Sequence, residues 1–156
     1  MERRLNIGSG RKLQEGSVNV DRFPYPGLTV VDLERGLPFR DESFGYILAS
    51  HMLEHVDRFD LAWKEIHRVL RKGGRLEVRV PYGPDSNPWH RRHFDEKSVK
   101  LLLDPGHNLE SGPWWQLVDL RVSARGFPWW HVRKYFKWDI PLGAKRELTF
   151  VLERVG

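Results

Sequence analysis

Residues 30–82 place the strongest constraint on the fold, because they combine short apolar strands with one strongly amphipathic helix. The segment is VVDLERGLPFRDESFGYILASHMLEHVDRFDLAWKEIHRVLRKGGRLEVRVPY. Within residues 57–70 the apolar side chains recur at the three- and four-residue spacing of one helix face, namely at Phe59, Ala62, Trp63, Ile66, Val69 and Leu70. Residues 44–50 before this helix and 75–80 after it have the composition of strands. The order predicts a strand–helix–strand unit of an α/β fold.

This helix also carries signals for its two ends. Asp57 or Asp60 is suited to cap the first turn. Gly73 is suited to the left-handed conformation that stops a helix. We therefore expect residues 71–74 to form a turn between the helix and the next strand.

Shorter segments extend the pattern in both directions. They predict strands at residues 5–7, 17–20 and 28–31, a short helix at residues 95–103, and an antiparallel pair of strands at residues 116–122 and 147–152. Four of the first five strands end in glycine, an acid or a small polar residue. Ligands of open parallel α/β sheets bind outside the carboxyl ends of the strands, so we expect the functional site there.

The composition fits one domain of 156 residues, with 40% apolar and 30% charged residues and no cysteine. Such a chain is long enough for one hydrophobic core. The absence of cysteine excludes disulfides and thiolate metal sites. No apolar run approaches the roughly 18 residues that cross a bilayer, and the charged first residues lack the apolar core of a signal peptide. We therefore expect a cytoplasmic protein without a membrane partner.

The formal net charge is +5. Such an excess favours acidic partners such as nucleic acid, phosphates or anionic lipid. The basic residues are spread along the chain and do not form one run, which also fits a general bias toward arginine. Nucleic acid therefore stays an alternative to a small-molecule partner.

Several short motifs follow one another in an informative order. They are Gly8-Ser9-Gly10, Asp21, Asp32, Leu37-Pro38-Phe39, Leu53-Glu54-His55 and Arg68-Val69-Leu70-Arg71-Lys72-Gly73-Gly74. Over residues 5–82 this order resembles the type 11 family of class I S-adenosylmethionine-dependent methyltransferases, which includes the ubiquinone and menaquinone methyltransferases. The resemblance implies an α/β, Rossmann-like class I methyltransferase fold, with a mostly parallel seven-stranded sheet and an antiparallel C-terminal strand. It implies one domain whose residues 5–82 bind S-adenosylmethionine and whose residues 83–156 form the substrate side.

The resemblance also assigns the cofactor contacts. The glycine turn lets the backbone approach the methionine end, and its amides would meet the carboxylate if a helix turn follows. Asp21 would take the ribose hydroxyls and Asp32 the adenine amino group. The full set of expected cofactor-binding residues is Asn6, Gly8, Ser9, Gly10, Asp21, Arg22, Asp32, Leu33, Ser50 and His51, the last two lying beneath the sulfonium.

Three features depart from the family pattern. Asn6 stands where an acid is usual, and Gly45 stands where an Asp is usual after Phe44. Only residues 11–16 separate the glycine turn from the second strand, whereas a parallel crossover usually takes a dozen or more residues. We therefore expect the first helix to be nearly absent and the cofactor to bind more weakly.

Candidate acid–base residues follow the fifth strand. His90 and His93 lie in Trp89-His90-Arg91-Arg92-His93-Phe94, at the expected mouth of the pocket, and histidine titrates in the range that suits a base. Either histidine could instead anchor a surface loop. The Trp-rich segment 114–138 would stack on a planar acceptor, complete a thin core or form a homodimer contact.

The segment His51-Met52-Leu53-Glu54-His55 also fits the H-x-x-E-H pattern of certain zinc peptidases. That pattern belongs inside a long helix, whereas a strand leads into it here, so we expect no metal. Two alternatives to an S-adenosylmethionine-dependent methyltransferase remain. One is a catalytically inactive binding protein with the same fold, and the other is a basic, Trp-rich nucleic-acid-binding module.

Overall fold

The computed structural model describes residues 2–83, 87–104, 114–124 and 146–156. The described residues form strands β1 (Arg4–Ile7), β2 (Ser17–Asp21), β3 (Thr29–Val30), β4 (Phe44–Ser50), β5 (Leu70–Pro81), β6 (Trp115–Ala124) and β7 (Arg146–Arg154), with helices α1 (Phe59–Val69) and α2 (Glu96–Leu103). Two single 3-10 turns, Leu33–Arg35 and Leu53–His55, follow β3 and β4. None of the helices in this part of the chain is long and apolar enough to cross a bilayer.

The strands form one seven-stranded sheet in the order β3-β2-β1-β4-β5-β7-β6. Strands β1 to β5 pair in parallel, and β7 runs antiparallel to both β5 and β6. Ile7 lies level with Val20 of β2 and with Ala49 of β4, so the carboxyl ends of these three strands meet at one edge. The predicted fold class, with its antiparallel C-terminal strands, is confirmed.

Helix α1 is the main cover of the core. Its side chains Trp63 and Ile66 are fully buried, as the spacing of its apolar residues predicted. The predicted caps are wrong, because Arg58 occupies the N-cap and no side chain at that position caps the helix. Glu34 instead holds the chain just before the helix, where its carboxylate accepts the backbone N–H groups of Asp57 and Arg58 at 3.2 and 2.8 Å.

The end of α1 also differs from the prediction. Leu70 is buried and pairs with Phe44 of β4, so the chain becomes extended immediately after the helix. The next paired position is Arg75 beside Tyr46. Gly73, with φ of +68°, therefore lies in a bulge within β5 and does not end the helix.

The first two crossovers contain no helix. All of residues 8–16 and 22–28 are described, and they form turns and extended chain only. This confirms that the first helix is absent. Asn6 holds the short β1–β2 connection, because its amide donates to the side chain of Asn19 at 2.8 Å and to the Lys12 carbonyl at 3.2 Å.

The sheet face that carries Arg4, Tyr46, Glu77 and Arg79 is polar. Parallel sheets usually bury both faces under helices and carry apolar residues on both. Here the Arg4 guanidinium lies 4.4 Å from the Tyr46 ring centroid, and the Tyr46 hydroxyl donates to Glu77 at 2.7 Å. Burial and the Glu77 carboxylate raise the pKa of Tyr46 to about 12. Within the described residues, side chains on this face therefore satisfy one another.

The second half of the chain completes the other face of the sheet. Helix α2 begins after Asp95, whose carboxylate accepts the Ser98 N–H while the Ser98 hydroxyl accepts the Asp95 N–H. Trp115 is buried, with its ring centroid 5.3 Å from that of Trp63. This contact favours the core role that the sequence offered for the Trp-rich segment, at its first tryptophan pair, Trp114 and Trp115. The second pair, Trp129 and Trp130, lies outside the described residues with the rest of segment 125–138.

Candidate functional site

A cavity of about 630 Å³ opens at the carboxyl edge of β1, β2, β3 and β4. Six of the predicted cofactor-binding residues line it: Gly8, Asp21, Arg22, Asp32, Leu33 and His51. Other predicted residues are absent from its lining: Asn6, Ser9, Gly10, Ser50, His90 and His93. The site therefore brings together side chains from the ends of three strands.

The glycine turn after β1 is shaped by close contact with the chain that follows β4. Gly8 has φ of +67°, and a Cβ placed there would lie 2.5 Å from the Met52 Cβ. Only glycine fits such a position without displacing its neighbour. Met52 itself lines the cavity, so this contact fixes one of its walls.

The amides of this turn are used within the protein. Gly8 N and Ser9 N both donate to the Val20 carbonyl, at 2.9 and 3.1 Å, and Gly10 N donates to Asp21. An amide carries one hydrogen, so these groups would have to rearrange before they could bind a ligand carboxylate. We expected these amides to bind the carboxylate only if a helix turn followed the glycines, and residues 8–16 form no helix. The hydroxyl oxygen of the buried Ser9 makes no hydrogen bond within the described residues.

Asp21 is better placed than these amides to bind a ligand. Its two carboxylate oxygens accept one backbone N–H each, from Gly10 at 2.8 Å and from Phe23 at 2.9 Å. A carboxylate oxygen offers about two lone-pair sites. Each oxygen can therefore accept one further hydrogen bond from the cavity that Asp21 lines.

Asp32 is oriented by the turn that it begins. Its carboxylate accepts the Glu34 N–H at 3.1 Å, as an N-cap, and lies 3.3 Å from the guanidinium of Arg35. Leu33, the next residue, is buried and lines the cavity. This edge of the cavity thus has one acid and one apolar side chain at adjacent positions.

His51 adopts an unusual backbone conformation at the end of β4, with φ of +52°. A positive φ in a non-glycine residue is uncommon and marks a position that its surroundings fix. The ring Nε2 lies 2.6 Å from Glu147 Oε2, and Nδ1 lies 3.5 Å from Glu54 Oε1. The Glu147 partner is 96 residues away in sequence, and no local pattern indicated it.

Neither of the two candidate bases lines the cavity. His90 is partly buried and its ring centroid lies 4.8 Å from that of His55, while His93 is exposed. Sequence reasoning missed several side chains of the cavity, among them Phe23, Glu34 and Trp89. Phe23 and Trp89 are 56% and 73% exposed. The available signal in the sequence was an aromatic residue close to the strand-end acid Asp21 and another beside His90.

Comparisons with known proteins agree with this geometry. Residues 10–78 match the family of the type 11 methyltransferase domain. The mitochondrial 2-methoxy-6-polyprenyl-1,4-benzoquinol methylase of Mus musculus is 33% identical over 126 residues, which cover 80% of this chain and 36% of that protein. The ubiquinone/menaquinone biosynthesis C-methyltransferase UbiE of Allorhizobium ampelinum is 30% identical over 127 residues, which cover 80% of this chain and 45% of that protein.

A solved structure extends the likeness to the whole fold. The 1,6-didemethyltoxoflavin-N1-methyltransferase of Burkholderia thailandensis, with 1,6-didemethyltoxoflavin and S-adenosylhomocysteine bound, has a TM-score of 0.70 at 20% identity and covers 99% of this chain and 72% of that one. The chain spans only 36% and 45% of the two curated relatives above. The predicted resemblance to type 11 methyltransferases is confirmed over residues 10–78, and the solved structure shows the likeness of fold.

Proposed function

We propose that this chain, a type 11-like relative of the class I methyltransferases, binds S-adenosylmethionine at the strand-end cavity and transfers its methyl group to a small molecule. One observation carries the proposal: Asp21, Asp32 and His51, from the ends of three strands, line a single cavity of about 630 Å³. Cavities that hold small ligands and cofactors have volumes of roughly 300–1,000 Å³. The cavity thus has the size and the carboxylates that the cofactor requires.

The ribose end of the cofactor fits Asp21 best. Two acceptor oxygens side by side, each with a remaining lone pair, match a vicinal diol with two donors. The amides of Gly10 and Phe23 hold the carboxylate in one orientation. Asp32 would accept the adenine amino group, and Leu33 would pack against the ring.

The methionine end fits less well, and this supports weaker binding than in relatives with a full first helix. Gly8 offers a surface without a side chain, but its amide is already bonded to Val20. Arg22 lines the same cavity and is a cation available to the methionine carboxylate. We propose that the Arg22 side chain binds the methionine carboxylate, an interaction that backbone amides would otherwise supply.

S-adenosylmethionine supplies an activated methyl group on a sulfonium. The protein contributes by holding the acceptor in line with that group and by excluding water. His51 is held rigidly by Glu147 at the end of β4, which suits a wall of the transfer site. His90 and His93 remain candidate bases, each of which needs a shift of its loop to reach an acceptor in the cavity.

The acceptor is proposed to be a small planar molecule such as the ring of a reduced quinone. Two of the relatives are named for methylation in quinone biosynthesis. Phe23 and Trp89 present exposed aromatic surface on the cavity wall, which can stack on a planar ring. The same surface would accept other planar acceptors, so the quinol is the first compound to test.

The test uses S-adenosylmethionine with a labelled methyl group. The full chain is incubated with 2-methoxy-6-polyprenyl-1,4-benzoquinol, with bulk RNA or with buffer alone. The label in each product fraction is then counted, and the mass of each labelled product is measured by mass spectrometry. Label in the quinol supports the proposal. Label in RNA alone would show that the acceptor is a nucleic acid and not a small molecule. If the protein binds S-adenosylhomocysteine but no product carries label, the inactive binding protein is favoured.

A further inference from the structure

Three potential metal ligands meet beside the cavity, outside the residues proposed to hold the cofactor. They are Glu54, His55 and His90, and one ligand atom from each lies within 4.8 Å of the others. We propose that these residues form a binding site for a divalent transition metal ion of the zinc class. The proposal does not depend on methyl transfer.

Glu54 is the first support for this site. The residue is 1% exposed, and its Oε2 atom makes no hydrogen bond within the described part of the chain. A buried carboxylate oxygen without a partner is costly, and most such groups in native proteins have one. The other oxygen, Oε1, lies 4.0 Å from His55 Nε2 and 3.5 Å from His51 Nδ1, so a metal ion bound to this carboxylate would compensate its burial.

His55 is oriented as a metal ligand. Its Nδ1 lies 3.2 Å from the Trp89 carbonyl oxygen, which can only accept, so Nδ1 carries the proton in the neutral ring. The other nitrogen, Nε2, then presents a lone pair 4.0 Å from Glu54 Oε1. A backbone carbonyl that holds one ring nitrogen while the other binds metal is the usual arrangement for ligating histidines.

The two segments that carry the ligands are fastened together before any metal binds. The Arg91 N–H donates to the Glu54 carbonyl at 2.7 Å. The Arg92 guanidinium donates to the carbonyls of Val56 and Asp57. Residues 89–92 are thus held against residues 54–57, so binding needs little additional ordering of the chain.

The ligand set selects the class of metal. Two imidazoles with one carboxylate suit Zn²⁺, Co²⁺ or Ni²⁺ better than Mg²⁺ or Ca²⁺, which prefer oxygen. Tetrahedral ligands about 2.0–2.1 Å from zinc lie roughly 3.4 Å apart, so side-chain shifts below about 1 Å would close the site. His55 and Trp89 line the cavity, and a fourth coordination position would face it.

The test measures binding of Co²⁺ and Zn²⁺ by the untagged full chain after treatment with a chelator. We expect about one equivalent of Co²⁺ with the visible absorption of a tetrahedral site, displaced by Zn²⁺. His55→Ala and His90→Ala should each weaken Co²⁺ binding at least about tenfold. The matched control is His93→Ala, which removes an exposed histidine of the same loop and should leave binding unchanged.

Two results would overturn the site: less than about a tenth of an equivalent of bound Co²⁺, or equal losses of affinity in His93→Ala and His90→Ala. Because Glu54 is buried, Glu54→Gln is used only if its circular dichroism matches the parent, and it should then weaken Co²⁺ binding. Binding of S-adenosylhomocysteine by the metal-free protein is measured in parallel. That measurement separates failure of the metal site from failure of the proposed function.

Discussion

The carboxylate of Asp21 accepts a 2.8 Å hydrogen bond from the backbone N–H of Gly10. The acid at the end of β2 and the turn after β1 are therefore one structural unit, although no helix joins them. The Phe23 N–H holds the second oxygen at 2.9 Å. A change at Asp21 is expected to affect both ligand binding and the shape of the turn.

Asp21→Asn tests the ribose contact with the smallest change of shape. The amide has one acceptor oxygen and one donor nitrogen, so one of the two N–H groups that now meet the carboxylate would face another donor. We expect the Kd for S-adenosylhomocysteine to rise about tenfold or more, with a loss of stability of about 1 kcal/mol. Calorimetry and thermal unfolding measure the two effects, and Asp60→Asn, at an exposed position of α1, is the control. Unchanged affinity in Asp21→Asn would show that the ribose lies elsewhere.

Gly8→Ala tests the close approach of the turn to Met52. Two costs combine, a positive φ and a Cβ 2.5 Å from the Met52 Cβ. The control is Gly16→Ala, where φ is +71° and nothing lies within 4 Å of the added Cβ. We expect a loss of about 1 kcal/mol for Gly16→Ala and at least about 2 kcal/mol for Gly8→Ala, measured by urea denaturation. Equal losses would mean that the contact with Met52 relaxes freely.

Glu34→Gln tests the cap that the sequence did not predict. The Glu34 carboxylate accepts the N–H groups of Asp57 and Arg58, the two residues before α1, and a hydrogen bond of this kind contributes about 1 kcal/mol. The amide of glutamine keeps one acceptor and loses the charge. We expect a loss of about 1 kcal/mol in unfolding free energy, whereas Glu15→Gln, at an exposed position, should change little. A loss no larger than that of the control would contradict the capping role.

His67 should make the protein less stable in mild acid. Burial and the nearby Arg154 lower the pKa of His67 from 6.5 to about 4, and its ring lies 4.6 Å from that of Trp114. Between these two pH values the unfolded chain binds a proton that the folded chain does not, so stability falls as the pH is lowered through this window. At pH 5 the loss relative to pH 7 is about 1–2 kcal/mol, allowing for partial exposure of the ring.

His67→Phe keeps a ring against Trp114 and removes the titration. The difference in unfolding free energy between pH 7 and pH 5 should therefore shrink by about 1–2 kcal/mol. His93→Gln, at an exposed position, should retain the parent's pH dependence. A pH dependence of His67→Phe that equals the parent's would show that the pKa of His67 is the same in the folded and unfolded chains.

Much of the fold was predictable because its signals are local. The spacing of Trp63 and Ile66 fixes the buried face of α1, and β4 was predicted with its observed bounds. Asp21 and Asp32 could be assigned to the site since strand ends in a parallel sheet share an edge. The absence of the first helix followed from the length of its connection alone.

The remaining features depend on contacts between distant parts of the chain. Leu70 leaves the helix because Phe44, on a neighbouring strand, pairs with it. His51 meets Glu147 only after β7 has joined the sheet. Glu54, whose burial supports the metal proposal, belongs to a motif that has a family explanation without any metal. No local pattern of residue types records such partners.

The most direct test of the central claim is isothermal titration of the full chain with S-adenosylhomocysteine. We expect binding at one site per chain, weakened about tenfold or more by Asp21→Asn and unchanged by Asp60→Asn. Absence of heat at millimolar ligand, with the protein folded, would contradict the claim that this cavity binds the cofactor.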